Sequence, residues 1–134
     1  MIGREQREQV YPLKIFFKHY FSITIFGTSA KYIQSLEDVG YKPKRHHNLS
    51  KLRMILSTGS PLKPESFDFV YKEIKNDLVL GSITGGTDIC SLFAGNNAAL
   101  PVYRGEIQCI CLGMKIEAWN GQGMHHYMNV NIIF

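Results

Sequence analysis

Residues 53–86, RMILSTGSPLKPESFDFVYKEIKNDLVLGSITGG, spell out one strand–helix–strand unit. Arg53–Ser57 is a short apolar run that ends in Thr58-Gly-Ser-Pro61, a group of turn formers. Pro64 suits the first turn of a helix, where its missing N–H leaves no hydrogen bond unmade. Phe67, Val70, Tyr71 and Ile74 then recur at i, i+3, i+4 and i+7, the stripe of a helix laid on a core. A second apolar run, Leu78–Ile83, stops at Thr84-Gly-Gly-Thr-Asp88.

The same pattern extends upstream. Phe21-Ser-Ile-Thr-Ile-Phe26 is rich in β-branched and aromatic residues and ends at Gly27, as a strand would. Thr28 or Ser29 can cap a helix reaching Val39, and Gly40 suits its exit. Three strands alternating with two helices predict an α/β fold, a parallel sheet with covering helices. In such sheets ligands collect at the carboxyl ends of the strands. Three of those ends carry small or hydroxyl residues: Gly27-Thr28-Ser29, Ser57-Thr58-Gly59-Ser60 and Thr84 to Asp88. Three together imply one shared pocket.

Beyond Gly95 the texture changes. Gly105–Cys111 and Met114–Trp119 alternate, and Asn120-Gly121 signals a tight turn, so a short antiparallel β segment is expected to follow the α/β part. His125–Phe134 reads as a further strand without a clear stop. Residues 1–20 hold to no single period, and Pro12 interrupts what would be an amphipathic helix. The expected division is an N-terminal extension (1–20), one partial domain (21–123) and a C-terminal tail (124–134).

The chain has 134 residues, 45% apolar and 19% charged, a composition that can build one packed core and is far from that of a disordered segment. No apolar run approaches the roughly 20 residues of a membrane span, and the polar first ten residues carry no secretory core, which makes cytosol the default compartment. Cys109 and Cys111 would share one face of a strand and cannot pair comfortably; with Cys90 they read as reduced thiols. The pairs His46-His47 and His125-His126 read as solvated loop residues rather than metal ligands. Lys42, Lys44, Arg45, Lys51 and Arg53 fall within twelve residues free of acid. No aromatic residue alternates with them, so a solvated basic surface or a docking place for an anion fits better than nucleic-acid binding.

Glycines occur where a backbone must come close to phosphate oxygens, because a Cβ obstructs the approach. Thr87 supplies a hydroxyl for such an oxygen, and Asp88 the hard carboxylate that Mg²⁺ accepts. A plain glycine turn followed by a Thr-Asp helix cap explains the same residues structurally. The chain contains neither G-x-x-x-x-G-K-[ST], nor G-x-G-x-x-G after a strand, nor a G-x-S-x-G elbow.

Four ordered blocks carry a more specific signal: STGSPL (57–62), GSITGGTDI (81–89), LPVYRGEIQ (100–108) and LGMKIEAWN (112–120), with FGTSAKYI (26–33) ahead of them. Together they closely resemble the acetoacetyl-CoA synthetases, a family of adenylate-forming acyl-CoA synthetases, over roughly residues 22–120. The resemblance implies ligation in two steps. The carboxylate of acetoacetate attacks the α-phosphate of ATP, releasing pyrophosphate, and the thiol of coenzyme A then displaces AMP. By the same resemblance Gly59, Ser60 and Pro61 line the adenine, and Thr84, Gly85, Gly86 and Thr87 form the nucleotide block. Thr87 contacts the α-phosphate, and Asp88 holds Mg²⁺ where the family commonly has Glu, which makes Thr87 and Asp88 the catalytic pair. Gly27, Thr28, Ser29 and Gly85 belong to the acid pocket.

The departures are informative. Thr84 replaces an aromatic that stacks on adenine in the wider family. Gly85 replaces a bulky aromatic that shortens the acid pocket of acetyl-CoA synthetase, leaving room for a longer acid. The upstream phosphate loop and the later ribose aspartate and lysine of the family have no counterpart in the chain, so it is expected to be incomplete for catalysis. The alternative is a non-catalytic module that binds a nucleotide or a protein, or that self-associates through open sheet edges. Nucleic acid and membrane are not expected partners.

Overall fold

The computed structural model describes residues 23–117 together with Trp119 and Gln122. The expectations for residues 1–20, Asn120-Gly121 and the tail from residue 124 lie outside them.

Three strands, β1 (Ile25–Ser29), β2 (Met54–Thr58) and β3 (Val79–Ser82), form a parallel sheet in the order β1-β2-β3. Strand order follows chain order, and right-handed crossovers then carry both connections over the same face. On that face lie α1 (Ala30–Asp38) and α3 (Pro64–Phe69), the latter extended by a π-helical turn over Val70–Ile74. A one-turn helix, α2 (Pro43–His46), breaks up the basic loop.

Register fixes what the sheet presents to those helices. Phe26, Ile55 and Leu80 pair across the three strands and share the covered face. They pack with Ile33 and Leu36 of α1 and with Phe67, Val70 and Ile74 of the second helix. The predicted helical stripe is thus the core, although its last turn is wider than expected. There the amide of Lys75 donates to Val70 O at 3.0 Å, five residues back, while its ammonium reaches Leu52 O at 2.6 Å and Ser50 O at 3.1 Å.

The α1 start forms as expected. Ser29 accepts from the Tyr32 amide at 3.1 Å, and Gly40 leaves the helix at φ +64°. The strands begin one to four residues later than the sequence pattern suggested, because pairing with a neighbour, not composition, sets where a strand starts.

A second sheet is antiparallel, in the order β4-β5-β6: Thr84–Gly86, Ser91–Gly95 and Cys109–Ile110. The glycine stretch, read as a turn or a helix cap, therefore runs as a strand. The predicted strand 105–111 shrinks to Cys109–Ile110 with an isolated bridge at Ile107, and residues 114–117 form no strand. The amide of Met114 closes a turn onto Cys111 O at 3.1 Å, and Gly113 at φ +82° diverts the chain. Cys109 lies opposite Gly95 in the ladder and Cys111 packs beside the same glycine, so both thiols share a face as expected; all three cysteines are free. His46 is exposed as expected, whereas His47 is only half exposed. His46 stacks on the Tyr41 ring at 5.1 Å, and His47 Nε2 shares a 2.8 Å hydrogen bond with the Tyr41 hydroxyl. Among the described residues no helix is long and apolar enough to cross a membrane.

The basic loop is tied down by one acid. Glu73 is buried and meets Lys42 at 3.3 Å and Lys44 at 3.6 Å. Burial pushes its carboxyl up, but the two ammoniums outweigh burial and hold it below its ordinary value. The pair's stability is therefore present above the unfolded-state value and is lost as pH falls through the lower folded-state value. In urea unfolding, the stability gap between the wild-type chain and Glu73→Gln is expected to be constant above about pH 5 and to shrink below about pH 4. Ser29→Ala, which removes the α1 cap, is expected to lower stability by about 1 kcal/mol in the same measurement.

Candidate nucleotide and acid site

Parallel strands end at one edge, and here that edge carries a cavity of about 310 Å³. Its walls are Thr58 to Pro61, just past β2, and Ser82 to Gly85, where β3 passes into β4; Ile107 closes the third side. Pairing of Ser57 with Ser82 sets the first two walls side by side, and the Ile83 amide continues the ladder to Ser57 O at 2.9 Å. Gly59 sits at φ +86°, a conformation that an L side chain rarely adopts, so glycine is required where the chain turns along the cavity. Ser57 Oγ, wholly buried in the sheet row between Thr28 and Ser82, has no hydrogen-bond partner among the described residues. The space is mixed in polarity, with backbone amides and hydroxyls on two sides and an isoleucine on the third.

The residues singled out from sequence divide into two groups. Gly59, Ser60, Pro61, Thr84 and Gly85 line the cavity. Gly27, Thr28 and Ser29 do not. They run beside Leu56, Ser57 and Thr58 in the register, one strand away, and the Ser29 hydroxyl is used by the helix cap. Gly86, Thr87 and Asp88 also lie outside the lining, exposed where β4 turns into β5. The Cys90 amide and thiol both donate to Thr87 O, at 3.1 and 3.3 Å, and Cys90 takes φ +47° to complete the turn.

Gly85 has a reason of its own. A Cβ there would strike the carbonyl oxygen of Ser91 and come within 3.1 Å of Leu92 Cα. The missing side chain therefore admits β5 against β4, at the irregular step between Thr84 and Gly85. The direction of that Cβ is toward the partner strand.

Ser82, Ile83 and Ile107 line the cavity without having been singled out. Ser82 was legible in principle, since a parallel register puts it level with Ser57. Ile107 had no local signal. The loop that carries it is held by side chains distant in sequence. Gln108 Nε2 donates to Asn97 O, Leu100 O and Pro101 O at 3.0, 2.9 and 3.3 Å, and its Oε1 accepts from the Asn97 amide at 3.1 Å. Arg104 Nε donates to both oxygens of Asp68 on α3 at 3.0 Å, and a terminal nitrogen reaches Glu65 at 3.5 Å. The Asp68 carboxylate, aided by Glu65, raises the guanidinium further above its ordinary value. Gly105, at φ +83°, lets the loop pass over Pro64, which would lie 3.0 Å from a Cβ.

No group of three or more His, Cys, Asp or Glu side chains gathers for a metal among the described residues. Asp88 stands as a lone exposed carboxylate. A single carboxylate is compatible with Mg²⁺ that keeps its waters and takes its other ligands from bound phosphates.

The comparisons with known proteins bear on this arrangement. No family model matches the chain. It is 58% identical over 101 residues to acetoacetyl-CoA synthetase of Xenopus tropicalis, an alignment covering 75% of the chain and 15% of that protein. Its fold superposes on the structure of acetoacetyl-CoA synthetase from Streptomyces lividans with a TM-score of 0.72 at 35% identity, over 90% of the chain and 18% of that protein. Over this segment the chain belongs to the acetoacetyl-CoA synthetase family. It spans about 15% of the length of the curated relatives it matches. A more distant relative, malonamoyl-CoA synthetase of Penicillium aethiopicum, is 42% identical over 106 residues, again 76% of the chain and 15% of that protein.

Two glycines of the family segment make a direct contrast. Gly85→Ala is expected to destabilise the chain by about 1–3 kcal/mol, because backbone on β5 cannot move aside cheaply. Gly27→Ala, with nothing within 4 Å of the added Cβ, is expected to stay within about 0.5 kcal/mol of wild type. Parallel chemical denaturation of the two variants checks both values.

Proposed function

We propose that this chain is a nucleotide- and acid-binding segment of an ATP-dependent acetoacetate–CoA ligase. The observation that supports the reading most is the cavity itself. It lies at the carboxyl ends of two parallel strands, walled by the STGSP and SITG stretches of the family segment. In the proposed reaction the acetoacetate carboxylate attacks the α-phosphorus of ATP, the bond to the bridging oxygen breaks, and pyrophosphate leaves. The coenzyme A thiolate then attacks the acyl carbon, the bond from that carbon to the bridging oxygen breaks, and AMP departs with that oxygen and the bonding pair.

Within that scheme the residues of this chain bind and orient. Gly59 to Pro61 offer backbone to a flat base, with Gly59 turned to leave the approach clear. Thr84 stands beside the same wall and supplies a hydroxyl, not an aromatic ring, so the base would be held by shape and hydrogen bonding more than by stacking. Thr87 and Asp88, at the hairpin tip, would meet phosphate and Mg²⁺ from outside the cavity. Mg²⁺ would neutralise charge on the transferring phosphate. The malonamoyl relative and the acetoacetyl relatives are both named for a short acid with a second carbonyl two carbons from the carboxylate, and that is the acid class we assign. Nothing in the described residues suggests a membrane partner, and a cytosolic setting is part of the proposal.

A second reading is a binding module without catalysis. It is favoured by the exposed placement of Thr87 and Asp88, off the cavity wall, which leaves reacting groups without the fixed positions that supply much of such catalysis. One pair of measurements separates the two. Calorimetric titration of the chain with AMP is expected to saturate. Thr58→Trp, which fills the cavity from an exposed rim position, is expected to weaken binding at least about tenfold. Undiminished binding by that variant would overturn the assignment of the cavity. Acetoacetate-dependent ATP–pyrophosphate exchange is expected to be no higher than in an Asp88→Ala control; exchange clearly above it would reject the module reading.

A further inference from the structure

A second cavity, of about 430 Å³, lies between the basic loop and the π-helical turn, away from the residues of the nucleotide site. Its polar walls are Lys44, His47, Lys72 and Lys75, and its apolar floor includes Leu49 and Ile74. Among the described residues no carboxylate lines it. Glu73, close by, already faces Lys42 and Lys44, and the exposed Asp77 follows the lining residue Asn76 in the chain. Lys75 is satisfied only by the neutral carbonyls of Ser50 and Leu52, and Lys72 makes no ion pair among the described residues.

We propose that this cavity is an anion site for a compact polyphosphate, either free or as the tail of a larger molecule. Three ammoniums around a concave space, of which only Lys44 shares the Glu73 carboxylate, leave an excess positive potential that low-dielectric walls concentrate. The site is built rather than accidental in one respect. Lys44 donates to Lys72 O and Lys75 to Ser50 O and Leu52 O, so the lysines themselves hold the loop and the turn at the spacing that opens the cavity. His47 is fixed by the Tyr41 hydroxyl, and Tyr41 by the stacked His46 ring, which keeps that rim in place. A hollow of this size suits a small anion, whereas a nucleic-acid surface would be extended and interleaved with aromatic side chains. Ammonium groups on flexible stems bind multiply charged phosphate as point charges, without the planar geometry that arginine imposes.

The test is a titration of the ¹⁵N-labelled chain with sodium pyrophosphate at 50 mM salt, followed by amide shifts. Saturable shifts are expected at residues 44–50 and 71–76. Lys72→Gln, which removes an exposed ammonium with no structural hydrogen bond, is expected to weaken them about fivefold or more while leaving the remaining spectrum unchanged. Raising salt to 200 mM should weaken binding of the wild type and narrow its margin over the variant. ATP binding at the same residues more tightly than pyrophosphate identifies the ligand as the tail of a larger molecule; equal affinity identifies a free polyphosphate. Shifts that do not saturate, that are indifferent to Lys72→Gln, or that arise only with a DNA oligonucleotide would overturn the proposal. Residues 58–61 and 82–85 report the nucleotide site separately in the same spectra, so either assignment can fall without the other.

Discussion

Parallel pairing of β1, β2 and β3 is the constraint on which the rest of the molecule depends. Because the three strands run the same way, their carboxyl ends must lie along one edge, and each connection must cross a face to start again. Ser29, Thr58 and the Ser82–Ile83 step therefore stand in neighbouring positions, although more than fifty residues of chain separate the first from the last. The two crossover helices fall on one side, where Phe26, Ile55 and Leu80 give them a common apolar row. A change of one residue in the β2–β3 register would turn Leu80 out of that row and part Ser57 from Ser82. Core and cavity share a single register.

The cavity is nevertheless only half a product of the parallel sheet. Its remaining wall belongs to the antiparallel layer, which the chain enters directly at Ile83–Thr84. That layer is held against the first both by apolar packing, with Val102 on the core cluster, and by polar ties. Arg104 spans to Asp68 and Glu65 on α3, and Gln108 gathers three carbonyls of its own loop. Polar ties of this kind specify geometry more than they stabilise it, since exposed ion pairs contribute little in water. Ile107 reaches the cavity because these ties and the left-handed turn at Gly105 carry the loop across Pro64.

The parallel sheet itself is narrow. Among the described residues β1 and β3 each pair on one side only, and Ile25, on the face away from the helices, is 57% exposed. Parallel sheets are ordinarily covered on both faces. On the second face Asn96 packs so closely on Gly81 that a Cβ there would clash, and its amide reaches Met54 Sδ at 3.4 Å.

The amino-acid sequence by itself determined the alternation of strands and helices, the helix cap at Ser29, the core stripe from Phe67 to Ile74, and the strand ends at which a cavity should form. These are local matters of periodicity, capping and turn chemistry, and they act over a few residues. Its family blocks also marked Gly59, Ser60, Pro61, Thr84 and Gly85, which do line the cavity. What only the tertiary structure decided was the course of the chain after Ile83. Gly85 and Gly86 are extended and paired with β5 because a neighbouring backbone lies against them, and nothing within the stretch itself announces that neighbour. For the same reason Thr87 and Asp88 sit on a hairpin tip, Gly27 to Ser29 are screened by one strand, and Ile107 arrives from a loop fixed by contacts more than thirty residues away in sequence. Local pattern fixes what an element is; long-range pairing fixes which residues face one another.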